Sequence, residues 1–307
     1  MPHSASGRRG KWRFDDDDDE LVFDKRARRR RALPSLAEFD AAFGVEAGQR
    51  WSTWDQSTPT ERGPRPHPEW LVTELAATDT ELGVLKTGKE ADVFLLRRGV
   101  PGTSRSCLLA AKRYRSAEHR LFHRHSEYTE GRRVRNSRAS RAMARKTTVG
   151  REMISVKWAG AEFAALCQLY QAGLPVPYPV QIVGTELLLE FIGHPDGTAA
   201  PRLADTGLRG TELASLWDQL VQATTELARL GLAHGDLSAY NLLVHEDRLV
   251  IIDIPQLVDV IAHPRGAEFL DRDALNVSTW FEARGLGDVS PRPADLAALL
   301  RAAARFT

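Results

Sequence analysis

Apolar residues recur with two different periods in the C-terminal half of this chain, and the change of period marks its elements. Over residues 211–230 they recur every three or four positions, which predicts a core-facing helix that ends before Gly231. Two short apolar runs follow at 241–244 and 249–252, with polar residues 245–248 between them, and they predict a β-hairpin. The helix residues expected to face the core are Leu213, Leu216, Trp217, Leu220, Thr224 and Leu227.

Strand-like patterns dominate the preceding region. Residues 82–96 predict two strands around a turn at 87–89, and residues 107–114 predict an apolar strand that contains Lys112 near its end. Residues 179–192 predict two more strands around Gly184 and Thr185. The sequence therefore predicts a β-rich region followed by a mainly helical one.

Three further helices are predicted at 158–170, 266–275 and 290–306, the last with Pro293 in its first turn. Short helices are also expected between 35 and 80, beside a proline-broken linker at 59–68. The residues expected to face the core are Trp158, Ala161, Ala165, Leu166 and Leu169 in the first helix, and Leu296, Leu299 and Leu300 in the last.

The composition indicates which class of protein this chain belongs to. The chain has 307 residues, a formal net charge of +1 and 42% hydrophobic residues, which describes a soluble globular protein of one or two domains. Cys107 and Cys167 both lie in apolar runs, so we expect buried thiols in a reducing compartment. No apolar segment approaches membrane-spanning length and the first thirty residues are charged, so no membrane association and a cytoplasmic location are expected.

Charge is concentrated in two regions. An acidic block at 15–20 and a basic block at 25–31 predict a disordered tail over 1–34, with a solvated polyampholyte favoured over contact with nucleic acid or an acidic partner. The basic stretch 115–151 predicts either a mobile solvated loop or a contact with RNA phosphates or an acidic protein. In the second case, Ser137 and Ser140 are candidate autophosphorylation sites.

Histidines in the same stretch suggest a metal site only weakly. Two of His119, His123 and His125 are four residues apart and can share a helix face. No cysteine or carboxylate of matching spacing completes a zinc site, and Arg120 and Arg124 would repel a dication. A zinc centre is therefore disfavoured.

Three polar residues around the predicted hairpin form the strongest candidate site. Asp236 and Asn241 lie on the loop before it, and Asp253 lies at its exit. A carboxylate and a carboxamide that converge there can hold a hard cation through oxygen atoms, which leaves a second carboxylate to accept a proton. Clusters of acidic and amide residues also occur in ordinary turns and caps, so the spacing alone is weak evidence.

Two upstream features extend this candidate site. Glu162 lies inside the apolar stripe of its helix and needs a partner, for which Lys112 is the natural candidate, although Glu162 could instead cap the helix or extend to solvent. The turn at 87–89 contains one glycine and can direct N–H groups and Lys89 at phosphates, as well as being a common hairpin turn.

Taken in order, these pieces resemble the RIO family of atypical protein kinases across roughly residues 71–281. The matching segments are TGKEADVF (87–94), AAKRYR (110–115), APRL (200–203), HGDLSAYNLLV (234–244), IIDIPQ (251–256) and HPRGAEFLDRDALNV (263–277). The resemblance implies an α+β, bilobal protein-kinase-like fold with a small β-rich N-lobe. Its helical C-lobe would be reduced and would lack the activation segment and the peptide-docking subdomains of other protein kinases.

The same resemblance implies residue roles and domain limits. Asp236 would be the catalytic base, Asn241 and Asp253 would bind Mg²⁺, with Mn²⁺ as an alternative, and Lys112 would contact ATP phosphates. The other nucleotide-binding residues would be Thr87, Gly88, Lys89 and Glu90 over the phosphates, Glu162 holding Lys112, and Glu190 and Ile192 beside adenine. The domain limits would be a tail at 1–34, a helical and linker segment at 35–80, an N-lobe at 81–192 and a C-lobe at 193–307.

Three departures from the family pattern are expected to affect loop geometry more than chemistry. Lys86 and Asp92 stand where the family usually has serine and asparagine, and Pro255 interrupts the pattern after Asp253. The activity implied is serine/threonine phosphorylation of a protein, or of the chain itself, with a ribosomal or RNA partner. One alternative is a small-molecule kinase of the aminoglycoside or choline type, but those enzymes tend to have an acidic residue where this chain has Gln256. The other is a nucleotide-regulated assembly module that hydrolyses ATP slowly.

Overall fold

The structure is a computed structural model that describes residues 48–115, 148–255, 257–286 and 292–305, with only the backbone for 148–153. Several predictions lie outside these residues. They are the disordered tail, most of the basic insert with its histidines and serines, and the argument from Gln256.

An antiparallel sheet of six strands forms the N-terminal part, in the order β1-β2-β3-β4-β6-β5. The sheet confirms the strands that the sequence predicted around Gly88 and Gly184 and over 107–114. The strands are β1 Gln49–Trp51, β2 Thr78–Thr87, β3 Ala91–Gly99, β4 Ser106–Tyr114, β5 Pro179–Val183 and β6 Glu186–Glu190.

Strand β4 shows how the alternating pattern places functional residues. Successive side chains of a strand point to opposite faces, so Leu109 and Ala111 lie on one face while Lys112 and Tyr114 lie near the other. Leu109 and Ala111 are fully buried in an apolar cluster behind the sheet. Lys112 and Tyr114 line the cavity on the front. The strand therefore presents its lysine to the interior of the molecule rather than to solvent.

The residues before β2 pack behind the sheet. Short 3₁₀ helices at Trp54–Gln56 and Pro59–Glu61 precede an irregular stretch that buries Leu71 and Val72 in the same cluster as Leu109. Short helices were expected here, but strand β1 was not. The backbone approaches β5 so closely that a side-chain Cβ at Gly63 would lie 1.8 Å from the carbonyl oxygen of Pro179.

The rest of the described chain contains four longer helices, two small β-pairs and short 3₁₀ helices at Leu203–Asp205 and Ala239–Asn241. The four longer helices are α1 Thr148–Gln171, α2 Gly210–Arg229, α3 Gly266–Phe281 and α4 Pro293–Ala303, with a π-helical turn at Glu282–Leu286 after α3. The pairs are β8 Leu242–His245 with β9 Arg248–Ile251, and β7 Leu232–Ala233 with β10 Val258–Asp259. Helix α2 and the hairpin β8-β9 confirm the two elements predicted at the centre of the pattern, and all six core residues predicted for α2 are buried.

Two predicted core positions are wrong. Ala161 on α1 is exposed, and the buried face of that helix instead carries Ala159, Glu162, Phe163, Leu166 and Leu169. Leu299 on α4 is 42% exposed, while Ala297 is buried with Leu296 and Leu300. In both helices alanines and leucines lie on several faces, so the period alone did not identify the face that packs.

The sheet with α1 and the helical part with α2, α3 and α4 form the two lobes of a kinase-like α+β fold. Both cysteines are free, as predicted, but only Cys107 is buried as expected, whereas Cys167 is partly exposed. Burial raises the pKa of Cys107 and raises the pKa of Cys167 to about 11. Among the helices within the described ranges, none combines the length and apolar character that a membrane span requires.

Candidate active site

A cavity of about 480 Å³ lies between the two lobes and gathers most of the residues singled out by the sequence. Its lining includes Gly88, Lys89, Glu90, Lys112, Glu162, Glu190, Ile192, Asp236 and Asp253 from the predicted set, together with Lys86, Tyr114 and Arg202. Of the remaining predicted residues, Thr87 ends β2 beside this lining and Asn241 lies on the loop after Asp236.

A buried lysine and glutamate form the N-lobe side of the cavity. Lys112 Nζ lies 2.7 Å from Glu162 Oε1, and the Tyr114 hydroxyl donates a hydrogen bond to Glu162 Oε2. Glu162 is 2% exposed, so its charge depends on these two donors. Burial opposes the charge on Lys112, but the carboxylates of Glu162 and Asp253 outweigh it and raise the pKa of Lys112. Lys112 is therefore charged, with its ammonium group fixed at the cavity wall.

Two lysines of the N-lobe sheet, one on β4 and one on β2, lie close to the Asp253 carboxylate. Its Oδ1 accepts from Lys112 Nζ at 2.9 Å, and its Oδ2 lies 4.0 Å from Lys86 Nζ. The residue has a φ of 64°, the left-handed region that non-glycine residues seldom adopt. Burial opposes its ionisation, but Lys112 and Lys86 hold the pKa of Asp253 below its usual range. The local backbone thus turns a charged carboxylate toward the N-lobe lysines.

The C-lobe side of the cavity is formed by the loop around Asp236, whose backbone N–H groups are hydrogen-bonded to a carboxylate of α3. Asp273 on α3 accepts the N–H of Gly235 at 2.9 Å through Oδ2 and the N–H of Leu237 at 3.0 Å through Oδ1. These two residues flank Asp236, which is exposed. Its carboxylate makes no hydrogen bond or ion pair with any described residue, so the buried Asp273 fixes a carboxylate that is open to an incoming hydroxyl group.

Asn241 ties the loop to the segment that carries Asp253. Its Nδ2 donates to the backbone oxygen of Asp236 at 2.9 Å, and its own backbone oxygen accepts the N–H of Ile252 at 2.9 Å. Because the amide nitrogen of the side chain is used in this way, its oxygen remains as a ligand. Asn241 and Asp253 together offer the hard oxygen donors that Mg²⁺ prefers.

The described residues contain no group of three His, Cys, Asp or Glu side chains arranged to hold a metal ion. A magnesium ion does not require such a group, because it typically takes one or two protein oxygens and completes its octahedron with substrate phosphates and water. The residues present therefore fit Mg²⁺ bound together with a nucleotide.

The turn between β2 and β3 closes one end of the cavity. Gly88 donates its N–H to the Ala91 carbonyl at 3.0 Å, and a Cβ at Gly88 would lie only 2.8 Å from that oxygen. Asp92, which departs from the family pattern, pairs with Arg115 through contacts of 2.6 and 2.7 Å. The turn is thus compatible with its unusual residue, and only glycine fits at its tightest point.

The opposite end of the cavity is bordered by the segment between the lobes. Glu190 donates its N–H to Tyr178 O at 2.8 Å, and its carboxylate accepts the N–H of Tyr178 at 2.9 Å. Burial raises the pKa of the Glu190 carboxyl. Within the described part of the chain, the N–H of Ile192 has no hydrogen-bond acceptor, so it is available to a flat heterocycle in the cavity.

Sequence reasoning missed three contacts of this site. No role was assigned to Tyr114 on Glu162, Lys86 beside Asp253 or Asp273 under the loop, although Tyr114 and Asp273 lie in segments compared with the family. Tyr114 follows Lys112 by two positions and so shares its strand face, which was the available signal.

Comparisons with known proteins find relatives of this chain. The RIO domain family model matches residues 108–293, which is more than half of the chain. Serine/threonine-protein kinase RIO1 of Saccharomyces cerevisiae is 31% identical over 227 residues, covering 66% of this chain and 44% of the yeast protein.

Two other relatives are similarly close. RIO-type serine/threonine-protein kinase Rio1 of Haloferax volcanii is 32% identical over 205 residues, covering 66% of this chain and 63% of that protein. The RIO1 kinase of Caenorhabditis elegans is 34% identical over 211 residues, covering 68% of this chain and 38% of the relative. The matched region thus spans 38 to 63% of the length of these three relatives. From the domain match and these identities, the chain belongs to the RIO family of atypical protein kinases.

Proposed function

We propose that this protein is a serine/threonine protein kinase that transfers the γ-phosphoryl group of ATP, with Mg²⁺, to a protein hydroxyl. The observation that carries the proposal is the placement of Asp236. Its exposed carboxylate lies at the same cavity as the fixed Lys112 ammonium group and the Asp253 carboxylate. A proton acceptor, a phosphate-binding cation and a metal-binding carboxylate are the three elements that phosphoryl transfer requires.

Each residue has one task in this proposal. Lys112, oriented by Glu162, binds α- and β-phosphate oxygens, and the turn at Gly88, Lys89 and Glu90 covers the phosphates. Backbone groups at Glu190 and Ile192 bind adenine. These assignments rest on the distances above and on the family resemblance.

The C-lobe residues complete the chemistry. Asp236 accepts the proton of the attacking hydroxyl group, and the loop bonds to Asp273 keep it in place. Asn241 and Asp253 would hold Mg²⁺, which neutralises charge on the β- and γ-phosphates when bound.

A protein substrate is favoured over a small molecule by the exposure of the proposed base. Asp236 and the neighbouring Tyr240 are both exposed, and Tyr240 retains 59% of its accessible surface. A carboxylate at an open surface can receive a hydroxyl group that belongs to a bulky partner, including another copy of this chain. Small-molecule kinases instead need a second pocket that encloses their substrate.

The test is transfer of labelled γ-phosphate from ATP with Mg²⁺. We expect label on the protein itself or on an added basic protein, and loss of at least about 100-fold in rate for Asp236→Asn. Asp218→Asn, an exposed position on α2, serves as the matched control and should retain full activity. Label that appears only on an aminoglycoside or on choline would establish the small-molecule alternative, and transfer that survives in Asp236→Asn would refute the role of Asp236.

A second candidate function is slow ATP hydrolysis coupled to assembly of a ribosomal or RNA-containing particle in the cytoplasm. The strongly basic composition of residues 115–151 favours it, since such a segment attracts phosphates. The same assay distinguishes the two, because hydrolysis releases labelled inorganic phosphate. Deletion of residues 132–146 should reduce the affinity for structured RNA and flatten its salt dependence if this segment contacts RNA.

A further inference from the structure

Lys86 occupies the penultimate position of β2, immediately before the turn over the cavity. The pairing of β2 with β3 is irregular between Val84 and Lys86, after which Lys86 lies opposite Val93. An irregularity of this kind changes which face a side chain points to. Lys86 lines the cavity together with Lys112 and Asp253, although the family resemblance leads one to expect a serine at this position.

The ion pair of Lys86 is weak as a stabilising contact. Its Nζ lies 4.0 Å from Asp253 Oδ2, and its side chain is 42% exposed. A pair of this length and exposure contributes little to stability, because solvent screens it. Stability of the fold therefore gives no sufficient reason for a lysine here.

The arrangement of charges in the cavity gives a different reason for a lysine at position 86. Asp253 has an ammonium group on each carboxylate oxygen, Lys112 on Oδ1 and Lys86 on Oδ2. Lys112 also has Glu162 as a partner, whereas Lys86 forms an ion pair only with Asp253 among the described residues. If Asp253 held a metal ion through these oxygens, Lys86 would lose its partner and its ammonium group would be free to contact a phosphate in the cavity.

We propose that Lys86 is a second phosphate-binding lysine of this site, which contacts Asp253 before nucleotide binds and a phosphate oxygen afterwards. The inference rests on the proposed function, because it requires ATP in the cavity. It has a second consequence for the nucleotide-free protein. Two ammonium groups on Asp253 compete with a divalent cation, so metal alone binds weakly and metal binds well only together with nucleotide.

The experiment measures two affinities in the absence of turnover. Calorimetry gives the affinity for ADP without metal, and electron paramagnetic resonance of free Mn²⁺ gives the affinity for metal without nucleotide. The variants are Lys86→Ser, which introduces the expected family residue, and Lys86→Arg, which keeps the charge. Lys157→Ser, an exposed lysine of α1, is the matched control.

We expect Lys86→Ser to bind ADP about tenfold more weakly, as loss of one charge-assisted phosphate contact implies, and to bind Mn²⁺ several-fold more tightly. Lys86→Arg should keep ADP affinity within about threefold of the wild type, and Lys157→Ser should change neither affinity. Opposite signs for the two ligands cannot arise from partial unfolding, which weakens both.

Unchanged ADP affinity in Lys86→Ser would overturn the assignment, as would affinities for ADP and Mn²⁺ that change in the same direction. Both outcomes leave the proposed function intact as long as the wild type binds nucleotide. A wild-type protein that binds neither ADP nor ATP would instead refute the proposed function, and the role of Lys86 with it.

Discussion

The two lobes hold their halves of the cavity by different means. In the N-lobe, Lys112 is positioned by side-chain charges, with Glu162 and Asp253 as its partners. In the C-lobe, Asp236 is positioned by its backbone, because Asp273 accepts the N–H groups on either side of it. One half depends on contacts between flexible side chains, and the other on a loop bonded to a helix.

This difference separates what can move from what stays in place. An ammonium group can exchange one carboxylate for a phosphate oxygen at little cost, because both are anions. A backbone held by a buried carboxylate has no such alternative, since an N–H without a partner costs about 1 to 3 kcal/mol. We expect the N-lobe side to rearrange when nucleotide binds and the C-lobe loop to remain as it is.

The largest effect is expected where the two halves meet. Asp253→Ala should reduce Mg²⁺-dependent ATP turnover by about two orders of magnitude or more, because a metal ligand and a partner of Lys112 are lost together. Steady-state kinetics over a magnesium series measures this, with Asp259→Ala as a control outside the cavity. Turnover and MgATP affinity equal to those of the wild type would exclude Asp253 from the metal site.

The next effect is on stability and tests the backbone-held half. Asp273→Asn should destabilise the protein by about 2 to 3 kcal/mol, because an amide presents one acceptor atom where two N–H groups need acceptors. Asp271→Asn is the matched control on the same helix, since Asp271 forms a surface ion pair with Arg301 at 2.7 Å and should cost less than about 1 kcal/mol. Urea unfolding measures both, and equal midpoints for the two variants would refute the comparison.

A smaller effect is expected from the side-chain half. Tyr114→Phe removes one of the two donors to Glu162 but keeps Lys112, so stability should fall by about 1 kcal/mol. Turnover should fall several-fold and recover partly at high ATP concentration, because the orientation of Lys112 is loosened rather than lost. Tyr170→Phe, on the exposed face of α1, should change neither stability nor turnover.

The smallest expected effect is the dependence of each lobe's stability on acidic pH. Burial opposes ionisation of Glu186, but the hydrogen bonds and charges of Arg50 and Arg113 hold its pKa below the usual value. The stability that this sheet residue contributes is present above about pH 4.3, the unfolded pKa of glutamate, and is lost as pH falls through the lower folded pKa. Asp273 behaves oppositely, because burial raises its pKa and acid then favours the folded form.

Hydrogen exchange compared between pH 6 and 3.5, corrected for intrinsic rates, follows both lobes at once. Amides of β4 and β6 should lose protection at a higher pH than amides of α2 and α3. Glu186→Gln should reduce the difference in pH between the loss of protection in β4 and β6 and its loss in α2 and α3. Glu226→Gln, which alters an ion pair at the surface of α2, should leave this pH difference unchanged. Loss of protection in α3 before β4 would contradict the expected order.

Local pattern and burial logic were sufficient for much of the site. Glu162 was identified because it lies within an apolar stripe, and the structure places Lys112 against it as expected. Asp273 carries the same signal, since it lies between the buried residues Phe269, Leu270 and Val277 of α3. Its role was missed because its partners are backbone N–H groups, which no side-chain pattern encodes.

The region before β2 was less accessible to prediction for a different reason. It has no regular period, and its contacts reach distant parts of the chain. His67 Nδ1 bonds Tyr178 Oη at 2.9 Å, and Gly63 lies against Pro179. Such contacts depend on close approach between segments that are far apart in sequence. The spacing of apolar residues along the chain does not predict which distant segments will meet.

The order of the sheet has a consequence for shortened versions of the protein. Strand β4, which carries Lys112, lies between β3 and β6 and is hydrogen-bonded on both sides. Removing the residues before Ser106 would turn it into a bare edge of apolar residues, the kind of surface that recruits strands from other molecules. Such a fragment is expected to aggregate in preference to folding, so strands β1 to β3 also protect the chain from self-association.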